Sequence, residues 1–318
     1  GLGDVYKRQH LHHSLRFDIV ELSQALIDHG NYFVSIHDYH LICPKLYLIT
    51  SQGKHCNGHE CTTSCSIAES DISKQRRIAK KLLENANKVF CFSNSTRHYV
   101  DRILRAEIPW YQMSHGILNV RDQGKISAKA KTPPSAERPL KVAFVGYLPI
   151  HKASLVITDI ARTKTLESGV PIEWHILGQL YTEEGHLATQ HVPYTRENLY
   201  SQIRELDPDV IGILSLCPET YSITLDEAWN AGVPVISTPF GAPAERVSYY
   251  NGGWVLDTVT KKSFLSQLDI IAKNWKEYKA IVQNVAQIPL RTISSESAEQ
   301  EELYTHFSKA TAKTSRRR

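Results

Sequence analysis

Pro218-Glu219-Thr220-Tyr221-Ser222-Ile223-Thr224-Leu225-Asp226-Glu227-Ala228-Trp229-Asn230-Ala231-Gly232-Val233-Pro234-Val235-Ile236 is the stretch that decides the fold. One apolar run, 210–214, leads into it, and a second, 233–237, leads out. Two carboxylates stand eight positions apart, Glu219 ahead of a helical segment and Glu227 inside it. A strand–loop–helix–strand unit of this kind places its loop at the carboxyl end of a parallel sheet, where such sheets bind ligands. The helix start adds unpaired N–H groups and a positive dipole end, which suit phosphate. Eight helical steps at about 1.5 Å each span roughly 12 Å.

Outward from this stretch the alternation repeats. Residues 140–145 and 172–177 read as strands, and 153–163 and 196–206 as helices. Residues 261–283 and 295–310 read as closing helices. Residues 122–139 lack hydrophobic periodicity and are rich in Lys, Ala, Ser and Pro, so they read as a linker. Before the linker the pattern is similar. Residues 14–29 form a helical stripe through Leu15, Ile19, Leu22, Ala25 and Leu26, closed by Gly30. Residues 32–36 and 89–92 read as strands, and 67–87 and 95–105 as helices. Alternation on both sides of a linker predicts an α/β chain with two parallel sheets. The expected domains are 10–121, a linker over 122–139, 140–290, and a closing helix with disordered tail over 291–318. Residues 1–9 read as a non-native segment and are set aside.

A chain of 318 residues has room for two cores. No apolar run approaches the ~20 residues that cross a bilayer. A net charge of +4 is small for this length and gives no reason to expect nucleic acid as a partner.

The motif resembles that of the family-4 glycosyltransferases, whose Glu-x7-Glu pattern continues, as here, through Ser237-Thr238-Pro239-Phe240-Gly241-Ala242-Pro243-Ala244-Glu245-Arg246-Val247. The resemblance implies a GT-B fold, two Rossmann-like domains facing each other across a cleft, with the first strands of the N-terminal domain missing. It also implies a retaining transferase moving a hexose from a nucleotide diphosphate sugar to a glycan or lipid-linked acceptor, in bacterial surface polysaccharide synthesis. The span of Glu-x7-Glu is about the reach needed to touch both ends of such a donor. No cofactor is required for catalysis in that family. The implied location is cytoplasmic, with peripheral contact at the inner face of the membrane.

Site roles follow residue by residue. Glu227 accepts hydrogen bonds from the ribose hydroxyls, for which a carboxylate has the acceptor geometry. Glu219 meets hydroxyls of the donor sugar. Thr220, Tyr221, Ser222, Ile223 and Thr224 bring main-chain N–H groups to the phosphates, with Ser222 where many relatives carry Gly. Gly146 ends the first strand of the second domain, and Lys152 matches the phosphate-binding Lys of the family. The position of the family's Arg holds Tyr147, so one diphosphate cation is absent or comes from elsewhere. His37 matches the N-domain His that faces the donor. Ser93 and His115-Gly116-Ile117 match loop positions.

Three readings stay open beside these. Cys43, Cys56, Cys61 and Cys65 fall within 23 positions and suggest either a structural zinc or free thiols. His10, His12, His13 and His40 lie near His37 in sequence and allow a metal cluster. Lys74, Arg76, Arg77, Lys80 and Lys81 form a basic run that is either a solvated helix face or a membrane contact. The alternative functions are a nucleotide-sugar-binding protein without turnover and a GT-B epimerase or phosphorylase.

Overall fold

A computed structural model describes residues 8–59, 61–121, 131–181, 189–190 and 193–315. Residues 1–7 of the segment set aside, 122–130 of the expected linker and 316–318 of the expected tail lie outside these. The elements in chain order are β1 (Gln9–Leu11), α1 (Ile19–His29), β2 (Tyr32–Ser35), α2 (Cys61–Ser64), α3 (Glu69–Glu84), β3 (Lys88–Cys91), α4 (Asn94–Leu104) and β4 (Trp110–Gln112). They continue with β5 (Leu140–Leu148), α5 (Ser154–Ala161), β6 (Ile172–Leu180), β7 (Thr189–Gln190), α6 (Leu199–Leu206), β8 (Val210–Ile213) and α7 (Ile223–Asn230). Last come β9 (Val235–Ser237), α8 (Gly241–Tyr250), β10 (Gly253–Val255), α9 (Lys261–Lys273), α10 (Trp275–Gln287) and α11 (Ile293–Ser315).

The chain forms two compact units, each discontinuous in sequence. The first is Gly1–Gly116, Pro218–Tyr221 and Ile293–Arg318, and the second is Ile117–Cys217 and Ser222–Thr292. In the first, four parallel strands run in the order β1-β2-β3-β4. Residues of β2 alternate between two cores. Tyr32 and Val34 join Leu26, Ala79, Leu82 and Val100. Phe33 joins Phe90, Phe92, Met113 and Tyr221, against which Leu303, Tyr304 and Phe307 of α11 pack.

The second unit holds six parallel strands in the order β10-β9-β8-β5-β6-β7. Strand β5 is buried on both faces, as a parallel strand covered by helices must be. Leu140, Val142 and Phe144 meet Ile157, Ile160, Phe264 and Leu268. Ala143 and Val145 meet Leu199, Ile203, Leu225, Trp229 and Val285. The chain enters the sheet at its centre, then adds β6 on one side and β8 on the other. Strand order therefore reverses between β5 and β8, the switch point at which open α/β sheets leave a crevice for ligands.

Several boundaries differ from expectation, each for a local reason. Strand β1 begins at Gln9, inside the segment set aside, because Gln9 pairs with Tyr32. Helix α1 starts at Ile19 rather than at residue 14, since Asp18 caps it by accepting from the amides of Val20 and Glu21. The single helix expected over 261–283 is two, broken at Asn274, whose side chain accepts from the Glu277 amide and starts α10 afresh. Helix α11 runs from Ile293 to Ser315, five residues past the end of the helix expected over 295–310.

Candidate functional site

In the second unit the loops after β5 and β8 flank the switch point. Gly146 and Gly178 are partners across β5 and β6. Both adopt positive φ, +118° and +122°, and a Cβ on Gly178 would lie 2.3 Å from the Gly146 carbonyl oxygen. Only glycine lets the two backbones approach this closely at the strand ends. After Gly146 the chain passes Tyr147, which is 63% exposed, and a short 3-10 turn, Ile150–Lys152, that carries Lys152. The loop after β8 is pinned to that turn, with the Leu216 amide donating to the His151 carbonyl at 2.8 Å and Ser215 Oγ to the same carbonyl at 3.2 Å.

Helix α7 then begins at Ser222, which holds a left-handed conformation (φ 73°) and caps with no side-chain hydrogen bond. A non-glycine residue there is strained, and such strain collects at ligand-binding turns. The first-turn amides of Ile223 and Thr224 precede any intrahelical acceptor, so they point to whatever lies beyond the helix. Glu227, one turn further on, is half-buried. Burial pushes its carboxyl up to about 7, the charge of neighbouring Asp226 adds to the rise, and Arg196 opposes it. Tyr194 lies in the same neighbourhood, its hydroxyl raised by burial and by Glu227, and a Cβ on Gly146 would stand 3.7 Å from that hydroxyl. Arg246 pairs with Asp226 and donates to the Ser222 carbonyl at 3.5 Å, tying α8 to the start of α7.

Arg196, Tyr194 and Arg246 are the residues that sequence reasoning missed. Arg246 lay inside the quoted motif continuation without a role. Tyr194 and Arg196 stand in a loop with no pattern to mark them.

In the first unit, the ring of His37 stacks on Phe92 (4.9 Å between centroids) and on His115 (5.5 Å). Its Nε2 lies 3.1 Å from Nδ1 of His12. Burial, and after it the charges of His115, His12 and His13, lower its pKa to about 3, so the ring is neutral near pH 7. Of two neutral imidazoles at that distance, one donates and the other accepts. The motif residues of this unit come to the same place. Thr220 Oγ1 donates to the His37 carbonyl at 2.8 Å, and Tyr221 donates its hydroxyl to the His115 carbonyl at 3.2 Å. Glu219 is half-buried beside them in sequence. Glu296 of α11 accepts from the Gly116 amide at 2.8 Å and meets His115 Nδ1 at 2.8 Å. Ser93 caps α4 by accepting from the Thr96 amide, which is a structural task.

The other histidines are engaged in hydrogen bonds. His10 meets Ser35 Oγ at 2.9 Å and Tyr304, His13 meets Asp38 at 3.1 Å, and His40 meets Ser14 Oγ at 2.7 Å. Among the described residues no group of three or more His, Cys, Asp or Glu side chains is placed to hold a metal ion. Cys43, Cys56, Cys61 and Cys65, in the segment between β2 and α3, form no disulfide; Cys61 Sγ donates to the Gly58 carbonyl and Cys65 Sγ to the Ile49 carbonyl, both at 3.9 Å. In the basic run, Arg76 is spent on carbonyls of that segment, donating to Ile42 at 3.2 Å and Gly58 at 2.6 Å. Among the described residues no helix is long and apolar enough to cross a membrane.

No protein-family profile and no curated protein matches the sequence. Solved structures do match. Sucrose-phosphate synthase from Thermosynechococcus elongatus superposes with a TM-score of 0.66 at 15% identity, covering 96% of this chain and 74% of that one. Anabaena Alr3699/HepE in complex with UDP-glucose gives 0.62 at 12% identity over 93% and 78% of the two chains. The fold is GT-B. WaaG, a glycosyltransferase involved in lipopolysaccharide biosynthesis, gives 0.55 at 13% identity over 80% and 69%. At these identities the GT-B likeness is one of architecture. It agrees with the two parallel α/β units and with the switch-point loops of the second.

Proposed function

We propose that this chain is a retaining glycosyltransferase that takes a hexose from a nucleotide diphosphate sugar and passes it to a glycan or lipid-linked acceptor. The observation that carries this reading is the group around the start of α7, where first-turn amides, Ser222 in a left-handed turn and half-buried Glu227 follow β8, which flanks the switch point of the sheet. Glu227 binds the ribose hydroxyls. The amides of Ser222, Ile223 and Thr224, with Lys152, take the diphosphate, and Gly146 keeps the strand end clear of side chain. His37 and Glu219, with the Thr220–Tyr221 backbone, are assigned the transferred sugar.

A diphosphate is already a good leaving group, so the chemistry calls for electrostatic stabilisation of the charge that develops on it. Arg196, within electrostatic reach of Glu227, is the cation we assign in place of the family Arg that Tyr147 replaces. Neighbouring GT-B structures bound to UDP, UDP-glucose or ADP support a nucleotide-sugar donor. Leu15, Phe17 and Val20, all exposed around the start of α1, favour a lipid-linked acceptor.

Calorimetry with a panel of nucleoside diphosphates tests donor binding. Glu227→Ala is expected to abolish it, and unchanged affinity refutes the assignment. Release of free sugar from a bound donor separates a transferase from a nucleotide-sugar-binding protein without turnover, the reading that uncharged, exposed Tyr147 favours.

A further inference from the structure

Past their last backbone partners, Leu11 and Val34, strands β1 and β2 stay joined through side chains. His12 Nδ1 meets His37 Nε2 at 3.1 Å, His13 Nδ1 meets Asp38 at 3.1 Å, and Ser14 Oγ meets His40 Nδ1 at 2.7 Å. Just before them, His10 Nε2 meets Ser35 Oγ at 2.9 Å. Each bond joins residues 25 or 26 positions apart, so the register of the strands carries on into the loops. His12 cannot drift from His37 without unzipping its neighbours.

The ring of His37 is held as firmly. Phe92 and His115 lie against it with planes tilted by 18° and 15°. A flip exchanging its two nitrogens would have to turn the ring between them. The rings of His12 and His37 differ in plane by 19°, with centroids 5.4 Å apart. With the nitrogens 3.1 Å apart, that separation requires an edge-to-edge approach, the direction in which imidazole N–H groups and lone pairs point.

Both rings are neutral near pH 7. Partial burial lowers His12 from 6.5, His13 and His115 lower it further, and Glu296 opposes them. Burial lowers His37 to about 3, with His115, His12 and His13 adding to the fall and Glu296 again opposing it. One hydrogen therefore lies between the two nitrogens, and its placement sets the tautomer of both rings. If His12 Nδ1 donates, both rings carry hydrogen on Nδ1, the less favoured tautomer of free histidine. His37 then holds an N–H on a half-buried ring, and among the described residues nothing bonds its Nδ1. An unmet donor there is costly. If His37 Nε2 donates, both rings carry hydrogen on Nε2, the favoured tautomer. The outer N–H then falls on exposed His12, where solvent accepts it. The second arrangement wins on both counts.

We propose that His12 is a positioning residue: by accepting from Nε2 it fixes the proton of His37 there and presents His37 Nδ1 as a bare acceptor for a sugar hydroxyl. This rests on the transferase reading, in which His37 meets the transferred sugar. The hydroxyl donates to Nδ1 and keeps its hydrogen. Without His12 the ring exchanges between tautomers, and the Nδ1–H form offers the same hydroxyl a donor instead.

Long-range proton–nitrogen spectra of the whole chain, labelled at its histidine nitrogens, read the tautomer without turnover, and His37→Asn assigns the signal. A protonated Nε2 and a bare Nδ1 are expected for His37 at pH 7. His12→Ala should average the two nitrogens. His12→Asn, whose side-chain carbonyl accepts from Nε2, should restore the wild-type pattern. In transfer assays His12→Ala is expected to lose roughly tenfold or more in kcat, with nucleoside diphosphate affinity unchanged, and His12→Asn to regain most of it. A protonated Nδ1 in the wild type, an unchanged His37 signal in His12→Ala, or a kcat that does not follow the tautomer overturns the proposal. Should His12→Ala fail to fold, the wild-type and His12→Asn spectra decide it. A wild-type chain that shows the expected spectrum but transfers no sugar counts against the transferase reading, not against the action of His12 on His37.

Discussion

Glu227 titrates at about 7, so it changes charge where most proteins are assayed. A carboxyl raised in the fold favours the folded state below its ordinary value near 4.5, and that contribution is lost as pH rises through 7. A ribose prefers the ionised form, which accepts at both oxygens. Nucleotide affinity is therefore expected to rise roughly tenfold between about pH 6 and pH 8, following the ionised fraction. Calorimetry across that range checks it, and Glu227→Gln should flatten the dependence as well as weaken binding. His10 and His37 run the other way. Both are held neutral by burial, with pKa lowered from 6.5 to about 3. Their contribution is present above 6.5 and is lost as pH falls from there toward 3. Urea midpoints measured from pH 7 to 4 should drop, and the His37→Asn variant should drop less steeply.

Packing inside the second unit sets how firmly its strand ends are held. Gly178→Ala puts a methyl against the Gly146 carbonyl at a positive φ, and we expect a loss of roughly 2–4 kcal/mol in stability. Chemical denaturation measures it, and a loss under about 1 kcal/mol would show that the β5–β6 edge relaxes. Trp229 is fully buried and donates to the Gly252 carbonyl at 2.9 Å, anchoring the helix that carries Glu227. Trp229→Ala should cost about 3–5 kcal/mol.

Elements of this kind were legible in the sequence where apolar runs were long. Strands β2, β3, β5, β6 and β8 stand where 32–36, 89–92, 140–145, 172–177 and 210–214 were read. Strand β10, with Gly252 and Gly253 at its start, carried too few apolar residues to register. The break at Asn274 was hidden because the apolar spacing of α9 and α10 nearly continues across it, and one side-chain cap decides the matter. For the candidate site, residues tied to a local motif could be named in advance. Arg196 and Tyr194 could not, since only the folding of a loop toward Gly146 and Glu227 brings them there.

The two units exchange chain four times, and the motif itself is divided between them, Pro218–Tyr221 in the first and Ser222 onward in the second. The first unit depends on α11 for Leu303, Tyr304 and Phe307 against Phe33 and Phe90, and for Glu296 beneath His115 and Gly116. Deleting residues 293–315 should therefore loosen the first unit while the second keeps its stability. Hydrogen exchange resolved by segment checks this, with faster exchange expected in β2 and β3 and little change in β5 and β8. Equal loosening of both would refute it.

Division of the chain also gives the protein a schedule during its synthesis. Residues 117–292 must emerge before α11 does, a wait of about 10–35 s at ~5–20 residues per second. Through that interval Phe33 and Phe90 stand without Tyr304 and Phe307 to cover them. The unit made first is thus the last to be finished, and its aromatic sheet face is the surface a ribosome-associated chaperone would meet.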